Sequence, residues 1–210
     1  MKNIQIDDTV YRLAERWDEL TFGQMLKISR SDGKDVLHTI AIMMDTDYDT
    51  VFALNPDDVE EHILPLIAFL SIEMDFDNIK TPKELLIYNS DGEPVKNIKV
   101  PRDIQLGTFG QKVAFQHIMY GKEDLIERFA ELVSIYLYPV FAEGKYDEQG
   151  VKDFAEQHVM YCRAMDIYAL GSFFLNRWMR YLEKKVNYSV RTMSRKNYRL
   201  VSKSLNALVP

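Results

Sequence analysis

The sequence predicts a mostly helical α+β fold, with about eight helices and two small β-hairpins. Apolar residues recur at three- and four-residue spacing through most of the chain, which is the period of an amphipathic helix. Two short segments, near residues 3–13 and 85–100, instead alternate apolar and polar residues on either side of a turn. The 210-residue chain is 47% hydrophobic and 28% charged, so it can bury a core without disulfides or metals.

The two hairpins are predicted from the residues that separate their strands. Asp7 and Asp8 lie between the alternating segments of the first hairpin. Asp91 and Gly92 lie in the loop of the second, and Asp-Gly is typical of tight turns between antiparallel strands. We therefore expect two antiparallel strand pairs set among helices.

The helices are predicted from apolar periodicity and from the residues that begin or end them. Pro65 is expected to bend one helix. Tyr138-Pro139 is expected to end or kink another, and Gly171 is expected to be a break. The predicted helices lie near residues 22–30, 35–44, 56–69, 109–120, 123–138, 148–160, 166–185 and 192–207.

The tetrapeptide Thr-Phe-Gly-Gln occurs twice, at residues 21–24 and 108–111. Each copy is expected to open a helix, because threonine followed three residues later by glutamine forms a capping box. The next helix begins at a similar offset in both places, near Asp35 and Glu123. An internal helical duplication starting at 21 and 108 is one interpretation, and independent use of a good helix start is the other.

Charge is unevenly distributed along the chain, whose net charge is −6. Residues 176–210 contain nine basic residues and one acid, a net +8, which leaves −14 for residues 1–175. We therefore divide the chain into an acidic α+β body (1–175) and a basic C-terminal helical segment (176–210), packed on the body or projecting from it. Such a segment is either a solvated face or a surface that docks on acidic protein, on a like subunit or on nucleic acid.

No pattern in the sequence specifies a catalytic, cofactor or metal site, so we expect none. Residues 45–49 place carboxylates at positions 1, 3 and 5 of a calcium loop, but Thr50 and Pro56 occupy positions that need Gly and Glu. An acidic turn is therefore favoured. His158 and Cys162 are four residues apart and can share a helix face. With no second ligand pair near them, we expect them to be packing residues.

Aromatic residues lie among the cations of the basic segment, and two interpretations follow. Aromatic rings can stack on bases while cations meet phosphates. The spacing of Phe173, Phe174 and Trp178 is equally that of a core stripe, which we favour for Trp178. An apolar face with a basic rim also suits docking on another protein. The predicted partner-binding residues are Phe173, Phe174, Trp178, Arg191, Arg195, Lys196, Tyr198, Arg199 and Lys203.

Three short motifs resemble proteins of tailed phages. Residues 17–24, Trp-Asp-Glu-Leu-Thr-Phe-Gly-Gln, open an acidic helical chain in a way that is similar to tail assembly chaperones. Residues 109–111 and 168–175 resemble proteins from the structural gene blocks of tailed phages. The resemblance implies a non-enzymatic protein that binds tape-measure, tail or portal-region subunits, or further copies of itself. It also implies a location in the host cytoplasm during assembly, or in the virion.

The sequence thus predicts a protein–protein interaction protein of phage particle assembly, either a tail assembly chaperone or a head–tail or virion structural component. The alternative is a nucleic-acid-binding module that uses the basic, aromatic C-terminal helices. No apolar run approaches the roughly 20 residues that span a bilayer, so no membrane partner is expected.

Overall fold

In the part of the chain that it describes, the computed structural model is mostly helical with two small antiparallel two-stranded sheets, which confirms the predicted α+β class. The structure describes residues 1–6, 9–31, 35–72, 79–102, 107–120 and 126–180. The predicted helix near 192–207 lies outside these ranges. Within them, no helix is both long and apolar enough to cross a membrane.

Both predicted hairpins are present. β1 (Lys2–Ile6) pairs with β2 (Thr9–Leu13), and β3 (Glu84–Tyr88) pairs with β4 (Pro94–Lys99). Alternate residues of each pair point into the core, which is why the period of two was readable in the sequence. The buried strand residues are Ile4, Ile6, Leu13, Leu85, Ile87 and Ile98.

The second hairpin turns through a loop of five residues rather than a two-residue turn. Gly92 has φ +75°, a conformation that glycine adopts without strain. The Asn89 side chain accepts hydrogen bonds from the backbone N–H groups of Asp91 (3.1 Å) and Glu93 (2.8 Å). Asparagine therefore closes the loop, and the predicted Asp-Gly step lies inside it.

The helices largely follow the predicted spans, with one addition. A short helix, Tyr48–Phe52, forms where the sequence predicts an acidic turn, and Asp47 caps it. Short 3₁₀ turns cover Trp17–Glu19, Ala68–Ser71 and Val159–Tyr161. The α-helices are α1 (Phe22–Arg30), α2 (Val36–Met44), α3 (Tyr48–Phe52), α4 (Pro56–Asp58), α5 (Leu64–Ile67), α6 (Phe109–Met119), α7 (Phe129–Phe141), α8 (Glu148–Gln157) and α9 (164–180).

The irregularity expected at Pro65 is a π-helical turn. Residues Val59–Ile63 join α4 to α5, and the Leu64 N–H donates to the carbonyl of Val59, five residues earlier. Proline lacks an N–H, and its ring would collide with the carbonyl four residues before it in a regular α-helix. The wider turn relieves this conflict and lets the chain continue as a helix.

At Pro139, where an end or a kink was predicted, the helix does not end, and at Gly171 the predicted break is wrong. Pro139 lies inside α7, which continues to Phe141. Gly171 lies inside α9, where a Cβ atom would collide with the ring of Phe129. Glycine at this position therefore permits a close approach between α7 and α9 and does not interrupt the helix.

α9 also crosses the boundary that the charge distribution suggested. The helix runs without interruption through residues 175 and 176 to residue 180. Trp178, on the basic side of that boundary, is 2% exposed and packs against the ring of Phe115, with centroids 4.9 Å apart. Trp178 therefore packs in the core of the body, whereas the residues on either side of it in the basic segment are exposed.

Candidate functional site

The exposed face of α9 lines an open cavity of about 440 Å³. We call this surface the α9 groove. Its lining includes Thr81, Tyr168, Ser172, Phe173, Asn176 and Arg177, with Arg180 at the end of the described helix.

The centre of the α9 groove is an aromatic ring beside a cation. Phe173 is half-buried, and the Cζ atom of Arg177, one helical turn further on, lies 5.3 Å from its ring centroid. This distance places the guanidinium within cation–π range of the ring. Arg177 and Arg180 are both exposed. The groove therefore offers one half-buried aromatic ring beside two positive charges, a combination that can bind a carboxylate or phosphate next to an apolar group.

The other two predicted contact residues of α9 are core residues. Phe174 is fully buried, with its ring centroid 4.1 Å from that of Tyr136. Trp178 is buried against Phe115. Neither side chain has a surface to offer a partner, so we correct the candidate surface on α9 to Phe173 and the two arginines that follow it.

The remaining predicted contact residues lie outside the described residues. They are Arg191, Arg195, Lys196, Tyr198, Arg199 and Lys203.

The structure brings His158 and Cys162 together as packing residues. The Nδ1 atom of His158 is 3.0 Å from the carbonyl oxygen of Tyr88, and the thiol of Cys162 donates to the carbonyls of His158 (3.5 Å) and Leu86 (3.6 Å). Burial raises the pKa of Cys162 to about 12, so the sulfur stays a neutral thiol at neutral pH. These contacts hold the end of α8 against β3, and the buried thiol is not an activated nucleophile.

The acidic residues between α2 and α3 act as turn and cap residues. The Asp47 carboxylate accepts from the backbone N–H of Thr50 at 2.8 Å and from its hydroxyl at 2.9 Å. These hydrogen bonds lower the pKa of Asp47. Asp45 ends α2 with φ +51°. Across the described part of the chain, no group of three or more His, Cys, Asp or Glu side chains is placed to hold a metal ion.

The sequence interpretation missed a second exposed apolar surface, on α6. Phe109 is 80% exposed, Val113 46% and Tyr120 68%. The opposite side of the helix buries Phe115 and Ile118 in the core. Apolar residues on both sides of α6 were readable in the sequence, but only the packing shows which side faces outward.

Comparisons of this chain with models of protein families, with curated proteins and with solved structures found no match.

Proposed function

We propose that this chain is a non-enzymatic protein–protein interaction protein of phage particle assembly, either a tail assembly chaperone or a head–tail or virion structural component. The observation that carries the proposal is the α9 groove, where Arg177 lies over the ring of Phe173 beside the exposed Arg180. Aromatic residues and arginine are the types enriched at protein interfaces and at their energetic centres.

The charge of the groove favours an acidic partner surface. Arg177 and Arg180 begin a segment, residues 176–210, whose net charge is +8. A partner helix with an apolar residue for Phe173 and carboxylates for the arginines matches this surface, because arginine binds carboxylates through two parallel hydrogen bonds. The resemblance of residues 17–24 to tail assembly chaperones supports tape-measure, tail or portal-region subunits as partners.

The proposal is tested by affinity purification of the tagged full chain from lysate of its source, with and without nuclease, followed by identification of the bound proteins. We expect a phage structural protein to remain bound after nuclease treatment and at moderate salt. Arg177→Glu reverses a charge in the groove and should release this partner. Lys145→Glu is the matched control, because Lys145 is an exposed cation in the loop after α7.

Two outcomes contradict the proposal. One is the absence of any phage structural protein among the bound material. The other is a structural partner that Arg177→Glu and Phe173→Ala retain as fully as the unmodified chain does, which would move the contact away from the α9 groove.

Nucleic-acid binding is the second candidate function, and the basic, aromatic composition of residues 176–210 favours it. Binding of this kind is recognised by its dependence on salt. The binding constant should fall steeply with salt, and the slope of the logarithmic plot counts the phosphates that are neutralised. Fluorescence anisotropy of a labelled oligonucleotide at several salt concentrations measures this slope for the full chain. A flat salt dependence rejects this function.

A further inference from the structure

The longest stretch of this chain without lysine or arginine runs from residue 35 to residue 79. Its described part, residues 35–72, contains eight carboxylates, and seven of them lie between residues 45 and 61. Six of these seven side chains are exposed. None of the seven forms an ion pair with a lysine or arginine of the described chain. The chain around α3 therefore presents negative charge that no described cation balances.

Two exposed aromatic rings lie within this acidic part of the chain. Tyr48 and Phe52 stack on each other along α3, with ring centroids 6.3 Å apart and an interplanar angle of 17°. Phe52 is 70% exposed and Tyr48 is 39% exposed. Asp49, also exposed, is a surface neighbour of Phe52 because residues three apart lie side by side on a helix. We call Tyr48, Asp49 and Phe52 the α3 face.

The α3 face and the α9 groove are complementary in charge and alike in their aromatic content. Carboxylates accompany Phe52 on one surface, and Arg177 and Arg180 accompany Phe173 on the other. Neither arginine forms an ion pair with a carboxylate of the described chain. No residue of α3 lines the groove. The contacts that would pair these opposite charges are therefore not made within the described part of one chain.

We infer that the α9 groove binds the α3 face of a second copy of this chain. Arg177 and Arg180 pair with the carboxylates around α3, and Phe52 packs beside the ring of Phe173. This inference rests on the proposed function in one respect, because both require the α9 groove to be a protein-binding surface. It adds the identity of the surface that the groove binds.

The contact joins two different surfaces, so it is heterologous. A copy that binds a neighbour through its groove still has its own α3 face to offer. Further copies can therefore add until the assembly closes, as a ring or as a reciprocal pair. The same asymmetry means that a chain with a damaged groove keeps an intact α3 face, and the converse holds for a chain with a damaged α3 face.

The test follows the mass of the purified, nuclease-treated full chain by sedimentation velocity over a range of protein concentrations. We expect the average mass to rise above that of one chain as the concentration increases. Arg177→Glu reverses a charge in the groove, and Phe52→Ala removes the exposed ring of the α3 face. Each should weaken self-association about tenfold or more, because the first opposes the carboxylates and the second removes buried apolar area.

Each variant has a matched control outside both surfaces. Lys145→Glu reverses the charge of another exposed cation, and Phe109→Ala truncates a phenylalanine that is 80% exposed on α6. Both controls should associate as the unmodified chain does. All four substitutions change exposed side chains, so every variant should keep the thermal midpoint of the unmodified chain.

Mixing the two weakened variants separates this contact from other modes of association. The Phe52→Ala chain contributes an intact groove, and the Arg177→Glu chain contributes an intact α3 face. The mixture should therefore form a complex of two chains at a concentration where each variant alone is a monomer.

Three results overturn the inference. They are an unmodified chain that stays monomeric up to its solubility limit, a groove or α3 variant that associates as tightly as the unmodified chain, and a mixture of the two variants that stays monomeric. None of them decides the proposed function, because the affinity purification separately reports whether a phage structural protein binds. Conversely, self-association of the purified chain without a captured phage protein contradicts the proposed function and retains this contact.

Discussion

The side-chain amide of Gln111 donates a 2.8 Å hydrogen bond to the carbonyl oxygen of Ile135, in the middle of α7. In a regular helix this carbonyl would accept from the residue four positions later, which here is Pro139 and has no N–H. Gln111 is 4% exposed and supplies the missing donor from the neighbouring helix. The contact explains how α7 passes through a proline without leaving a buried carbonyl unpaired.

Gln111→Leu should lower the free energy of unfolding by about 1–3 kcal/mol, because it leaves the buried Ile135 carbonyl without a donor. Gln116→Leu, on the half-buried side of the same helix, is the control and should change it much less. Chemical denaturation measures both.

The proline makes a sharper test possible. In a Pro139→Ala background, the backbone of the substituted residue gains an N–H that can donate to the carbonyl of Ile135. Gln111→Leu should therefore cost less in that background than it does in the unmodified chain. A double-mutant cycle measures this difference. Equal costs in the two backgrounds would show that Gln111 does not compensate for Pro139.

Gly171→Ala should destabilise the protein by about 1–3 kcal/mol, the usual cost of forcing an extra carbon into a packed core. The added methyl group would collide with the ring of Phe129, which is 3% exposed. Gly144→Ala is the control, because a Cβ there meets only an ordinary contact of 3.6 Å. An unchanged thermal midpoint for Gly171→Ala would contradict the packing of α9 against Phe129.

Trp178→Ala and Phe173→Ala should differ in their loss of unfolding free energy, because Trp178 lies on the buried side of α9 and Phe173 on its exposed side. Trp178 is 2% exposed, so its truncation should cost about 3–5 kcal/mol of unfolding free energy. Phe173 is half-buried in the α9 groove, and its truncation should cost clearly less. Denaturant titration measures both variants. A larger loss for Phe173 would reverse the assignment of these two side chains.

Cys162 should react with iodoacetamide at pH 8 only when the protein unfolds, because burial raises its pKa from 9.0 to about 12. The same pKa shift makes the free energy of unfolding depend on pH. In the unfolded chain the thiol ionises first, so its contribution to stability is complete below pH 9 and declines as the pH rises toward 12.

Mass spectrometry of the alkylated protein tests the reactivity, and denaturation between pH 8 and 10.5 tests the stability. Cys162→Ala should show a smaller loss of stability over this interval than the unmodified chain. Rapid alkylation of the native protein would contradict the buried position of the thiol.

The sequence predicted those features that depend on neighbouring residues. Thr21 and Thr108 begin helices because the hydroxyl and the backbone amide that it accepts are three residues apart in the chain. The strands of both hairpins were recognisable because alternate side chains face the core. These signals need no knowledge of the rest of the fold, and the structure reproduces them.

The candidate surfaces were less predictable. Phe173 and Phe174 are adjacent in sequence, yet one lines a groove and the other lies in the core. Helical periodicity places them on nearby parts of one helix, and contacts such as those with Tyr136 and Phe115 show which part of α9 is buried. The exposure of Phe109 could not be predicted from the sequence for the same reason.

By itself, the sequence determined the fold class, both hairpins and the helix starts after Thr21 and Thr108, because each follows from hydrogen bonds and periodicities a few residues long. The tertiary structure decided the rest. α7 continues through Pro139, where a glutamine of α6 donates to the Ile135 carbonyl that the proline leaves without a donor. α9 continues through Gly171, where the ring of Phe129 occupies the place of a side chain. The identical segments at 21 and 108 also differ in exposure: Phe22 is fully buried and Phe109 is 80% exposed. Contacts between residues far apart in sequence, rather than local preference, set which apolar side chains of this protein remain free to bind.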